Sequence, residues 1–175
     1  MTLMAHELNC PWDFWVFKRY DPEFTNRTYN ESRFKLSDTP ISTIENFWSY
    51  FNYIKKPDEL NYEYEGIALF RFQQPPDTEN KNNKSKLTYY MKTGHNDHNL
   101  NQIYLDLILI CIGENIENST RIQGIKVIRR MNNSRVEVWF NESISTPRIK
   151  NLIHEINKQF PTLDHYFSSI NEDTL

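Results

Sequence analysis

The order of apolar and polar positions divides the chain into extended segments and helices. Residues Pro11–Tyr20, Ser32–Ser37, Gly66–Phe72, Lys86–Lys92, Arg121–Met131, Arg135–Asn141 and Leu163–Ser168 are rich in β-branched and aromatic side chains. Asn, Asp, Pro and Ser separate them, so the pattern predicts strands joined by turns. Other stretches repeat apolar residues every three or four positions, the period of a helix. One opens at Ser42 with Glu45 three positions on, as in a capping box, and closes at Lys55-Lys56 before Pro57. Its apolar face is Ile44, Phe47, Trp48, Phe51 and Ile54. The last opens Ser145-Thr146-Pro147, a cap followed by proline at the first helical position, and carries Ile149, Leu152, Ile153, Ile156 and Phe160.

The middle helix, from about Asn99 to Glu114 and stopped by Gly113, has two apolar stripes. Leu100, Ile103, Tyr104, Leu107, Ile108 and Cys111 form one; Leu105, Leu109 and Ile112 form another on a different side. A helix lying on a sheet needs only one such face. The second is covered either by a neighbouring helix or by a partner.

A length of 175 residues suits one domain, residues 1–175, with a real core. Neither an internal repeat nor a low-complexity linker interrupts it. The formal net charge of −3 excludes a sequence-independent nucleic-acid binder, which needs many Lys and Arg against phosphates, so any RNA contact must be local and shaped. Cys10 and Cys111 form no CxxC pair, as expected in a reducing compartment. The first residues lack the basic and apolar regions of a signal peptide, and the longest apolar run, Leu107 to Ile112, is far short of a membrane span. These features imply a soluble cytoplasmic protein with no membrane partner. The Asn-x-Ser/Thr triplets at Asn26, Asn30, Asn83, Asn118 and Asn141 then reflect abundant Asn. Ala occurs only at Ala5 and Ala68, a composition typical of an AT-rich genome such as that of a protist or of a large DNA virus, for which the compartment is the host cytoplasm.

Candidate chemistry concentrates in Arg121–Asn141, which reads as a hairpin turning at Asn132-Asn133-Ser134. Val136, Val138 and Phe140 point one way; Arg135, Glu137 and Trp139 point the other. In the preceding strand Arg130 groups with Lys126 and Ile128, and Arg129 with Ile125 and Val127, so one of the two arginines faces the Trp139 side. Arginine forks match phosphate oxygens and an indole gives a flat wall to a base, so this face suits a nucleotide. The same pattern also describes a solvated strand with a half-buried Trp. His95-Asn96-Asp97-His98 has metal-ligand residue types but lies in an Asn-rich stretch without further ligands, and reads as a solvated loop. There is no GxGxxG, no P-loop, no nucleophile in a recognisable setting and no placeable carboxylate pair, so no catalytic residue, metal or cofactor is expected.

Several motifs resemble those of the translation initiation factor 4E family. His6-Glu7-Leu8-Asn9-Cys10-Pro11-Trp12-Asp13-Phe14-Trp15-Val16-Phe17 is similar to the family's opening His-Pro-Leu and Trp-x-x-Trp-Phe. Ile44-Glu45-Asn46-Phe47-Trp48 resembles its Val-Glu-Asp-Phe-Trp helix, Ile110-Cys111-Ile112-Gly113-Glu114 its Leu-Ile-Gly-Glu helix end, and Val136-Glu137-Val138-Trp139 its Ile-Ala-Ile-Trp strand. The order and nearly the spacing hold from His6 to about Phe160. The resemblance implies an α+β fold: a curved antiparallel sheet of about seven or eight strands backed by three helices, like a cupped hand, with the 7-methylguanosine cap of messenger RNA in the palm.

It also implies roles. The cationic methylated base is stacked between aromatic rings, a carboxylate takes its N1 and N2 edge, and basic side chains hold its phosphates. Trp139 corresponds to the tryptophan that touches the N7 methyl, Arg130 to the main phosphate arginine and Arg135 to a basic residue near the end of the phosphate chain. A further phosphate lysine falls on Asn132 and is lost. The first sandwich tryptophan falls on Tyr29, in a lengthened Asp21–Thr28 loop where Phe24 is a rival. No aromatic stands where the second is expected, near Pro75-Pro76-Asp77-Thr78-Glu79; Phe72 is the nearest replacement, with Asp77 as the guanine-edge carboxylate and Glu79 as fallback. On the convex side His6, Ile44, Trp48, Leu105, Asp106 and Leu109 correspond to the surface that binds a helical Tyr-x-x-x-x-Leu-hydrophobic peptide of a 4G-type scaffold, which accounts for the second stripe. The implied activity is cap-dependent recruitment by a monomer. The alternatives are a cap-binding repressor, or an interaction module whose palm has lost the cap.

Overall fold

Strand alternation decides which side of the sheet the helices cover. In this computed structural model the described residues are 5–19, 31–36, 39–61, 63–92, 97–130, 133–159 and 173–174. The strands are β1 (Glu7–Arg19), β2 (Glu31–Lys35), β3 (Ile41–Thr43), β4 (Glu63–Arg71), β5 (Ser85–Lys92), β6 (Ile122–Arg130), β7 (Asn133–Phe140) and β8 (Asp173–Thr174). The helices are α1 (Ile44–Phe51), α2 (Asp97–Gly113) and α3 (Pro147–Gln159). All strands join one curved antiparallel sheet in the order β2-β1-β4-β6-β7-β5-β8, with β3 also on β1.

One face of this sheet carries the core. Trp12 and Phe14 of β1, Ile67 and Leu69 of β4, Ile125 and Val127 of β6, Val136, Val138 and Phe140 of β7, and Leu87 and Tyr89 of β5 are buried there. Against them pack Phe47 and Phe51 of α1, Tyr104, Leu107, Ile108 and Cys111 of α2, and Ile149, Leu152 and Ile156 of α3. Each such side chain contributes about 1.5–3 kcal/mol when fully buried. A one-residue slip would turn a whole strand's set to the opposite face, so the register is strongly fixed.

Several boundaries differ from those the sequence suggests. The first helix is capped by Thr43, whose side chain accepts the Asn46 N–H at 3.1 Å, while Ser42 belongs to β3. Glu45 therefore forms no capping box. Its carboxylate instead takes the His6 backbone N–H at 3.1 Å and lies 2.7 Å from His6 Nδ1. This helix also stops at Phe51 rather than Lys55, because the Lys56 ammonium reaches back to the carbonyls of Phe51 and Ile54. Glu114, with φ 45°, is the left-handed residue after α2, although Gly113 precedes it. Asn133 and Ser134, expected in the turn, belong to β7 and pair with Lys92 and Met91 of β5. Strand β3 escapes a search for alternation because it is three residues long. Of the second stripe on α2, Ile112 is buried in the core, leaving Leu105 half-buried and Leu109 exposed. The expected strand Leu163–Ser168 lies outside the described residues.

Candidate functional site

On the side away from the helices, register brings distant residues into rows. Asp13, Phe70, Gly124, Trp139 and Lys86 lie abreast on β1, β4, β6, β7 and β5. The next row is Lys35, Trp15, Ala68, Lys126, Glu137 and Thr88, and the third is Arg33, Phe17, Gly66, Ile128, Arg135 and Tyr90. Gly66, Ala68 and Gly124 keep the centre low. A Cβ on Gly124 would come within 2.3 Å of the Phe70 ring, so only glycine lets that ring lie across β6.

There Phe70 meets Trp139 edge to face, with ring centroids 5.8 Å apart. Together with Phe17, Ala68 and the half-buried Trp15 they form a second apolar cluster. Trp139 is 2% exposed, and its indole N–H donates to Glu137 Oε2 at 3.0 Å. Glu137, 1% exposed, is surrounded by positive charge. Arg135 Nε lies 2.9 Å and Lys86 Nζ 4.0 Å from its Oε1, and Lys126 stands opposite on β6. The Lys126 ammonium is 3.9 Å from the centre of the Phe17 ring and Lys86 is 5.1 Å from that of Trp139, both cation–π distances.

The two candidate arginines separate as strand parity requires. Arg129 turns to the helix side, where it is buried and donates to the Pro57 carbonyl at 3.1 Å. Arg130 follows Lys126 and Ile128 on the palm side, two residues beyond the Ile128–Arg135 pair. Trp139, Arg130 and Arg135 are therefore brought to one face. Tyr29, its rival Phe24 and Asn132 lie outside the described residues.

The segment after β4 crosses the palm. Gln73 takes a left-handed φ of 61°, and the chain is then held by asparagine side chains. Asn80 Nδ2 donates to Gln74 Oε1 at 3.2 Å, Asn82 Nδ2 to the same atom at 2.9 Å, and buried Asn83 to the carbonyls of Pro75 and Asp77 at 3.1 and 2.7 Å. This places Asp77 in an ion pair with Arg33 of β2. Burial alone would raise the Asp77 carboxyl, but the Glu79 N–H, the Arg33 guanidinium and the nearby Lys126 charge hold it below its ordinary value. Glu79 itself is exposed. Phe72 is half-buried beside Lys35, whose ammonium lies 5.4 Å from its ring centre and 3.3 Å from Asp13 Oδ1. The ring that meets Trp139 is Phe70, and Phe72, the candidate stacking face, follows two residues on beside Lys35.

Sequence reasoning missed Arg33, Lys35, Lys86 and Phe70, and it gave Lys126 and Glu137 no role although their alternation had placed them. Strand parity is legible locally, whereas the pairing of β2 and β5 with the rest is not.

On the convex side Ile44 and Trp48 are exposed one turn apart on α1, and half-buried Leu105 and exposed Leu109 one turn apart on α2. Trp48 packs edge to face on Phe47 and Phe51, so its ring is held and yet open. Asp106 accepts from Gln102 Nε2 at 2.7 Å. His6 is fixed to the start of α1 by Glu45 and by its carbonyl, which accepts the Ile44 N–H at 2.8 Å.

Neither cysteine is set up as a nucleophile. Burial pushes the Cys10 thiol up to about 11 against the pull of Arg71, with Glu114 adding to the rise, and burial raises Cys111 as well. Among the described residues no three His, Cys, Asp or Glu side chains converge as metal ligands, and no helix is long and apolar enough to cross a membrane.

A family model described as eukaryotic initiation factor 4E matches residues 7–171. The chain is 27% identical over 140 residues to eukaryotic translation initiation factor 4E1 of Drosophila melanogaster, covering 78% of this chain and 51% of the fly protein. It is 29% identical over 169 residues to eukaryotic translation initiation factor 4E-1 of Hordeum vulgare, covering 95% and 73%. It thus spans about half the length of the fly relative. Among solved structures, Caenorhabditis elegans eIF4E-3 with the 4E-binding protein Mextli superposes with a TM-score of 0.81 at 20% identity, over 98% of this chain and 94% of that one. Ascaris suum eIF4E-3 with m7G cap gives 0.78 at 22% identity, over 92% and 86%. At these identities the structural likeness is one of fold.

Proposed function

Because the chain belongs to the eukaryotic initiation factor 4E family, we propose that its palm binds the 7-methylguanosine cap of messenger RNA while its convex face docks a 4G-type scaffold or another 4E-binding peptide. The work is binding, not catalysis, and brings capped RNA to the translation machinery. It is done by one domain acting as a monomer in the cytoplasm.

The observation that carries this reading is the charge of the palm. Arg33, Lys35, Lys86, Lys126, Arg130 and Arg135 gather on this face, where Asp13, Asp77 and Glu137 are paired with members of the set. On a protein of net charge −3 that is a local anion site, suited to a triphosphate and not to a long nucleic acid. Arg130 and Arg135 hold the phosphates, Trp139 backs the methylated ring from the floor, and Tyr29 and Phe72 supply stacking faces. Asp77, with Glu79 as substitute, accepts from the guanine edge. Relatives of similar fold are recorded with m7G and m2,2,7G caps and with m7GpppA and 4E-BP, which supports both halves of the proposal.

One observation favours a second reading. Trp139 and Phe70 are buried in this state, so the floor is closed, as it would be in a module that works through its convex face alone. Retention on immobilised 7-methylguanosine separates the two. Release by cap analogue but not by GTP supports cap binding, and failure to bind the resin supports the interaction module.

A further inference from the structure

We propose that Arg33 is a positioning residue for base recognition: it holds the Asp77 carboxylate aimed across the palm, so that a carboxylate on an Asn-stapled loop reads the guanine edge. The inference rests on the cap reading above and deepens it by assigning Arg33 a role.

Three observations carry it. Asp77 reaches back from the segment after β4 to pair with β2, whose Arg33 shares the Phe17–Gly66–Ile128–Arg135 row of the palm. The loop is built to deliver that one side chain. Asn83 fixes its backbone through the carbonyls of Pro75 and Asp77, and the Glu79 N–H takes Oδ1 at 3.0 Å, leaving Oδ2 to Arg33. Among the described residues, the charged groups that act on Asp77 are Arg33 from β2 and Lys126 from β6, and both favour the ionised form.

A carboxylate can accept the two parallel N–H groups of a guanine edge only while it is ionised, because the protonated acid presents a donor in their path. Each oxygen keeps a lone-pair site after its present bond, so ion pairing with Arg33 and acceptance from a base are compatible. Lys126 acts on Asp77 through its charge, with its ammonium over the Phe17 ring, whereas Arg33 pairs with the carboxylate directly.

The test titrates the full chain with 7-methyl-GTP, GTP and 7-methyl-ITP, which keeps the cationic ring but lacks the N2 amine. The wild type should bind 7-methyl-GTP about tenfold or more tighter than 7-methyl-ITP, the scale of a hydrogen bond to a charged acceptor. Because the Asp77 carboxyl is held below its ordinary value, the wild-type ratio should persist to a lower pH than any ratio left in Arg33→Gln. In Arg33→Gln the ratio should fall toward one at pH 7, because the carboxylate is no longer held in place, while preference for 7-methyl-GTP over GTP persists. Arg33→Lys should restore most of the ratio, and Asp77→Asn should abolish it whatever stands at 33. A purely structural role for Arg33 would lower affinity for every nucleotide alike. If Arg33→Gln keeps both the ratio and its pH profile, this inference is overturned and the cap reading stands. If the wild type binds none of the methylated nucleotides, both fall.

Discussion

The two faces of the sheet are built by different means. The convex face presents residues four apart on single helices: Ile44 and Trp48 on α1, Leu105 and Leu109 on α2. The palm presents residues from β2, β1, β4, β6, β7 and β5 that meet only through register, together with a loop that crosses it. The first face is apolar and partly open; the second is charged and largely filled by its own side chains. A surface encoded by local spacing can keep its chemistry residue by residue, whereas one encoded by pairing can be rebuilt with new charges on the same backbone.

The sharpest way to break this comparison is at the palm floor. Glu137→Ala removes a buried carboxylate from between Arg135, Lys86 and Lys126 and leaves the Trp139 N–H without its acceptor. It should cost about 3–5 kcal/mol, because the cations stay buried and uncompensated. Urea denaturation measures it. A loss below about 1 kcal/mol, the range of exposed ion pairs, would mean that the palm charges behave as surface pairs.

On the other face Trp48→Ala should weaken a Tyr-x-x-x-x-Leu-hydrophobic peptide by about 2 kcal/mol or more, the scale of an aromatic hot spot. Nucleotide affinity should not change, because Trp48 lies on α1, on the opposite side of the sheet from the palm. Peptide and nucleotide titrations on the same variant provide the check, and parallel losses would show the faces to be coupled.

Arg130→Ala is a smaller perturbation. It should loosen a methylated triphosphate by about 1.5–3 kcal/mol, the scale of a charge-assisted hydrogen bond, and flatten the dependence of affinity on salt. Unphosphorylated 7-methylguanosine should be insensitive, and calorimetry across salt concentrations distinguishes the two.

The smallest effect concerns the clamp between β1 and α1. The hydrogen bond from His6 lowers the Glu45 carboxyl to about 2 from its ordinary 4.5. A depressed carboxylate stabilises the folded state above its unfolded pKa, and that contribution is lost as pH falls through about 4.5 toward about 2. Glu45→Gln should therefore show a slightly shallower loss of stability over that window, and an unchanged slope would remove the clamp from the account. The pair is solvent-exposed, so the difference should be modest.

The same contrast explains what was legible in the sequence. The helices, their buried stripes, the palm side of Trp139 and Arg135, and the separation of Arg129 from Arg130 follow from periods of 3.6 and 2. The cap of α1 differs because Ser42 and Thr43 are both cap-forming types, and the chain stays extended through Thr43, which pairs with Glu7 of β1. Lys126 was visible on the correct face, but nothing local says that it is 4% exposed over Phe17. Of the loop at Asp77 the sequence shows only that no aromatic stands where a second wall is expected. The run of asparagines after it, taken as a compositional bias, serves as its hydrogen-bonded frame.

The indole N–H resonances of Trp139 and Trp48 report the two faces separately and test the central claim most directly. Adding 7-methyl-GTP to isotopically labelled protein should move the Trp139 signal, whose proton is held by Glu137, and leave Trp48 in place, while GTP at the same concentration moves Trp139 less. If 7-methyl-GTP binds without disturbing Trp139, or if GTP shifts it equally, the palm is not a site for a methylated guanine.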